Sequence, residues 1–187
     1  LRHTLFPYTT LSDLGCAEAA RTTFTDELYK HSWCGALIKA AADWRRIGLG
    51  TASREQLIAL SETHDDDTWG TVDWDDTWKQ ATRLINHTIP LLRQIDDDRW
   101  EVLDIIADEA NWDISIRTLK SLKDIPLSPQ QAFRSAITMF LHGDPSLPTR
   151  NMFEFAIEKN PDDTITLGTY AFFLKSEGVD MDKAEEM

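Results

Sequence analysis

Trp33, Leu37, Ala41 and Trp44 step along the chain by four, four and three residues, which places them on one face of an α-helix. The same period recurs from Ala17 onward. Trp74, Trp78, Ala81 and Ile85 make a second stripe, and Val102, Leu103, Ile106 and Ala110 a third, continued by Ile116, Leu119 and Leu122. No five-residue β-branched run bounded by turn residues interrupts it. A 3.6-residue period cannot line one face of a strand, so the pattern predicts an all-α protein of helices packed on helices.

Local signals mark where the helices start and stop. Gly48 ends the first stripe, and Ser53 with Gln56 forms a capping box that opens the next helix through Leu57 and Leu60. The polar stretch His64-Asp-Asp-Asp-Thr68 is a break, and Asp96–Asp98 are placed as helix N-terminal carboxylates ahead of the Val102 stripe. Ser128-Pro-Gln-Gln131 combines an N-cap, Pro at the first helical position and a capping-box Gln. The helix it opens turns Phe133, Ala136, Ile137 and Phe140 inward and ends at Gly143. A second helix starts at Pro148 and Thr149, carries Met152, Phe153, Ala156 and Ile157, and stops at Asn160-Pro161. A third is expected from about Asp163 to Glu177, with Leu167, Tyr170, Ala171 and Leu174 on one face, and a fourth from near Asp182.

Thirty-two acidic against 19 basic residues give a formal charge of −13, and that field repels phosphate backbones and anionic lipid. No apolar run approaches the ~20 residues of a membrane helix. Cys16 and Cys34 form no CxxC and have no paired His nearby, so neither zinc nor a disulfide framework is indicated and a cytoplasmic setting is expected. Residues 1–14 are set apart as a non-native segment, because Thr4 to Leu14 resembles a translated sequencing-adapter oligonucleotide.

The spacing of Phe153, Ala156 and Pro161, followed by Tyr170, Ala171, Leu174 and Ala184, resembles the tetratricopeptide repeat, a stacked helical hairpin. Thr149 stands where that repeat usually has Ala, and the turn at Glu177–Asp180 is one residue longer than its common pattern. The segments Ala36–Leu49, the helix of Trp78 and Ala81, Pro90–Leu92 and Trp100–Ile106 are similar to the helical connector of large bacterial P-loop NTPases that carry C-terminal tetratricopeptide repeats. No G-x-x-x-x-G-K-[ST] occurs, so no nucleotide-binding residue transfers. The resemblance implies a helical connector over residues 15–127 and repeat-like hairpins over 128–187. It also implies a protein-interaction scaffold, part of a larger signalling protein, without cofactor, metal or catalytic residues. Thr166, Thr169, Phe173 and Glu177 are assigned to a concave peptide groove, and self-association is expected through the last repeat.

Two other function classes have carriers in the sequence. His64, Asp65, Asp66 and Asp67, with Asp73, Asp75 and Asp76, supply oxygen ligands for a metal-dependent hydrolase, although the spacing lacks the alternation, Gly and distal Glu of a calcium loop. The acidic balance would also suit a decoy for nucleic acid. Asp43, Arg45 and Arg46 are read as ion-paired, solvent-facing residues around Trp44, while His31, His64, His87 and His142 are read as helix-end or surface residues. Trp33, Trp44, Trp74 and Trp78 are read as core, and Trp69 as a loop aromatic.

Overall fold

A computed structural model describes residues 11–29, 32–64, 70–87, 89–141 and 147–177. Among them the chain is mostly helical, with two small antiparallel sheets. No helix among the described residues is long and apolar enough to cross a membrane.

The long N-terminal helix α1 (Leu11–Tyr29) begins inside the segment set apart as non-native, so residues 11–14 belong to a helix. Helix α2 (Trp33–Arg46) is the centre of the molecule, capped by Ser32, whose hydroxyl accepts from the Gly35 amide. Ten of its residues are buried, among them Leu37, Ile38, Ala41 and Trp44, because α1, α3, α4 and α5 pack around it. Each large apolar side chain removed from water here contributes about 1.5–3 kcal/mol. Gly48 closes α2 at φ +87°, a conformation that only Gly adopts without strain. Helix α3 (Arg54–Ser61) opens on the Ser53/Gln56 capping box, with both hydrogen bonds present, and a single 3₁₀ turn follows at Glu62–His64.

Helix α4 (Trp74–Ala81) starts at Asp73, whose carboxylate accepts from the amides of Asp75 and Asp76. The expected second and third stripes break up from this point. Ile85 belongs to β1 (Leu84–Ile85), paired with β2 (Ile89–Pro90). Asp96–Asp98 make the turn of a hairpin between β3 (Leu92–Asp96) and β4 (Arg99–Val102), not a helix N-terminus. Val102 is therefore a strand residue, and helix α5 extends only over Asp104–Asp108. The reason is physical: carboxylates satisfy free backbone amides equally well in a turn and at a helix end. Leu92 and Val102, opposed in the hairpin, and Leu103 and Ile106 just beyond it are still buried.

An isolated antiparallel bridge joins Ala52 to Trp100, with N···O distances of 3.0 and 2.8 Å. The order is thus α2, bridging residue, α3, α4, hairpin, with the bridge on the second hairpin strand.

Helix α6 (Ile116–Ser121) leads to α7 (Pro129–Leu141), α8 (Leu147–Lys159) and α9 (Thr164–Ser176). Ser128 and Gln131 exchange the capping-box bonds at the start of α7. One hydrophobic cluster runs from Ala20 and Phe24 through α2 to Phe153, Tyr170 and Leu174. Across the expected 127/128 boundary, Gln131 Nε2 donates to the Leu49 carbonyl. The fourth expected helix, and Ala184 on it, lie outside the described residues.

Candidate interaction site

The last three helices are joined by aromatic side chains. Phe153 of α8 lies 5.4 Å from Tyr170 and 5.5 Å from Phe173 of α9, and 6.3 Å from Phe133 of α7. Phe140 meets Phe173 edge-on at 5.4 Å. The Tyr170 hydroxyl donates to Glu154 at 2.7 Å, and Arg150 donates to the same carboxylate at 3.2 Å. Burial, reinforced by that carboxylate, pushes the Tyr170 phenol from 10 up to about 12. Asp163 caps α9 and accepts from the Thr166 hydroxyl at 2.7 Å, the main cause of its lowered pKa.

These contacts decide which face of α9 turns inward. Thr166, Tyr170, Phe173 and Leu174 are buried, so Thr166 and Phe173 do not line an open groove as the sequence reading assigned them. Thr169 and Glu177 are half-buried. Phe153, Ala156, Tyr170 and Leu174 are buried, Ala171 is half-buried, and Pro161 lies exposed in the α8–α9 turn.

The opposite face of α9 is apolar and open. Ile165 is 67% and Phe172 62% exposed, seven residues apart and therefore on one stripe. Gly168 lies between them, and a side chain added there would meet nothing within 4 Å. Phe172 leans on Phe140 at 6.2 Å, and Leu141, 76% exposed at the end of α7, is a third large apolar residue open to solvent. Single exposed hydrophobics are ordinary, and here Ile165 and Phe172 share one face of the helix.

A second constellation is deeply buried. Asp43 is fully buried: its Oδ1 accepts from Trp112 Nε1 at 2.8 Å and Arg46 Nη1 at 3.2 Å. His64 Nε2 lies 3.2 Å from Oδ2, off the line of a hydrogen bond, and its side chain is 5% exposed. Arg46 and Lys39 both sit over the Trp112 ring, at 5.6 and 5.5 Å. Asp43 is not the solvent-facing residue expected from the sequence, whereas His64 sits at a helix end as read, with its side chain buried. Arg45 does face outward and pairs with Asp104 at 3.0 Å. The hydroxyls of Ser61 and Thr63 donate to the backbone carbonyls of Ile58 and Leu60, each at 2.7 Å. The arrangement ties α2, the 3₁₀ turn and the Trp112 segment together. The sequence marks only the local Asp43–Arg46 pair, three residues apart; His64 joins it from the 3₁₀ turn and Trp112 from 69 residues away.

Trp44 and Trp78 are buried, and Trp33 is half-buried, edge-on to Trp74 at 5.3 Å. Asp73, Asp75 and Asp76 lie on the N-terminal turn of α4, where Asp75 is tied to Arg54. His87 occupies the exposed β1–β2 turn at φ +59°. Asp65–Asp67, Trp69, His31 and His142 lie outside the described residues. Among the described residues no three His, Cys, Asp or Glu side chains converge as a metal site would require. Comparison with protein families, curated proteins and solved structures gives no match to this chain.

Proposed function

We propose that this chain is a non-catalytic protein-interaction scaffold, in which a helical connector presents tetratricopeptide-like hairpins at its C-terminal end, as part of a larger bacterial signalling protein. The observation that carries the reading is the open apolar stripe of α9, Ile165–Gly168–Phe172, on a hairpin whose other face is fully packed. An apolar helix face on a rigid support suits an amphipathic helix or peptide. The acidic residues favour a protein partner over nucleic acid: α4 carries Asp75 and Asp76 and the β3–β4 turn Asp96–Asp98, and both would oppose a phosphate backbone.

Metal titration with thermal unfolding as readout tests this against the hydrolase. A divalent ion at 1 mM bound with a dissociation constant of about 10 µM would add about 2.7 kcal/mol of stability. The scaffold reading expects no rise with Mg²⁺, Ca²⁺, Mn²⁺ or Zn²⁺, and a rise of that size overturns it. Recovery of the full reading frame tests the larger-protein reading. A P-loop upstream and 34-residue repeats downstream are expected, and a frame containing neither would refute it.

A further inference from the structure

The exposed stripe of α9 is close to self-complementary. We propose that its occupant is a second copy of this chain, docked antiparallel through α9 about a two-fold axis between Gly168 and Thr169; this rests on reading the stripe as an interaction surface. An isologous contact must match a surface to its own image. With the axis at that position, Ile165 meets Phe172 of the second copy and Phe172 meets its Ile165. Gly168 meets Thr169 at the crossing, where a side chain limited to hydrogen lets the backbones approach. The Thr169 hydroxyl is already spent on the Ile165 carbonyl at 2.7 Å, so no free polar group is carried into the contact. Phe140 and Leu141 extend the apolar surface beside Phe172.

Charge selects the antiparallel arrangement. The same register sets Lys175, exposed in the last turn of α9, opposite Asp162, exposed just before its first turn, once on each side of the axis. Parallel pairing would put Lys175 beside Lys175 and Asp162 beside Asp162. Antiparallel helices also set opposite dipole ends together. Each chain carries −13, so the two bodies repel at long range while the contact itself is apolar. Added salt therefore strengthens the dimer, the reverse of an interface held mainly by ion pairs. One helix pair is a small interface, and the expected dissociation constant is on the order of 10–100 µM.

Sedimentation equilibrium of the whole 187-residue chain from 5 to 500 µM tests the pairing. The expected result is a rise from the 21.4 kDa monomer towards twice that mass, steeper in 0.5 M than in 0.1 M NaCl. Phe172→Glu and Ile165→Glu should each abolish the rise while leaving the circular dichroism spectrum unchanged. Gly168→Gln, a better helix former that fills the crossing, should weaken it at least tenfold. Lys175→Asp should weaken it several-fold, and Lys175→Asp with Asp162→Lys should restore it. A wild-type monomer at 500 µM overturns the pairing, as does a dimer that survives both glutamate substitutions. A dimer seen only after deletion of residues 178–187 also overturns it, because the chain's own C-terminal segment would then be the occupant. None of these results touches the scaffold reading, which the metal titration and the full reading frame test.

Discussion

At Gly48 two independent demands meet. Its φ of +87° disfavours any side chain, and a Cβ there would come 2.4 Å from the Thr138 hydroxyl oxygen and 3.3 Å from its Cβ. Gly48→Ala is expected to cost about 2–3 kcal/mol, combining backbone strain with displacement of α7, as measured by urea unfolding. A loss of about 1 kcal/mol would show that Thr138 rotates away and leaves only the backbone strain, and a loss under about 0.5 kcal/mol would refute both terms. Asp43 is the other position where one atom group decides much. Asp43→Ala leaves the Trp112 N–H and Arg46 without their acceptor inside the core, and a loss of about 3 kcal/mol is expected. Asp43→Asn, which keeps an acceptor oxygen, should lose less, and equal losses would refute the hydrogen-bond account. The sequence gives Gly48 away through its place after a helical stripe. It conceals Asp43, because burial of an acid in an alanine-rich helix depends on what packs against it from Trp112 and His64.

The elements differ in how openly the sequence declares them. Helices α2, α3 and α7 are marked by caps and apolar spacing that operate within a few residues, so their starts are legible. The β3–β4 hairpin is not, since Leu92 to Val102 contains no extended β-branched run and is held by pairing across its turn and to Ala52. Helix α9 offers two tests. Gly168 has open space around it and lies mid-helix, so Gly168→Ala should stabilise the fold by about 0.5–1 kcal/mol. A loss in thermal stability would mean that the site is closer packed than described. The phenol of Tyr170 titrates near 12 when folded and near 10 when free, so between these values the folded state holds the proton more tightly. Stability is therefore fully present below pH 10 and falls as pH rises from about 10 to 12. Tyr170→Phe should flatten that decline, and an unchanged slope would remove Tyr170 as its source.

For the whole molecule, the governing quantity is a charge of −13 carried by a mostly helical body. Such a charge strains the compact state by self-repulsion, and the ion pairs Arg21–Glu109, Arg45–Asp104 and Arg54–Asp75 are exposed enough to contribute little. Raising NaCl from 0.05 to 0.5 M should therefore raise the melting temperature. A fall would mean that the surface pairs outweigh the repulsion.

The chain's helical character, its capping residues and its negative field follow from the sequence by itself, because each depends on composition or on residues within one or two turns. Tertiary structure alone decided three things. It turned Asp96–Asp98 into a hairpin corner, since carboxylates satisfy turn and helix amides alike. It brought Asp43 and His64 together, since they share no local period. It turned Thr166 and Phe173 of α9 inward and left Ile165 and Phe172 open, since a helix this apolar has no face that its own pattern singles out and α7 and α8 choose one.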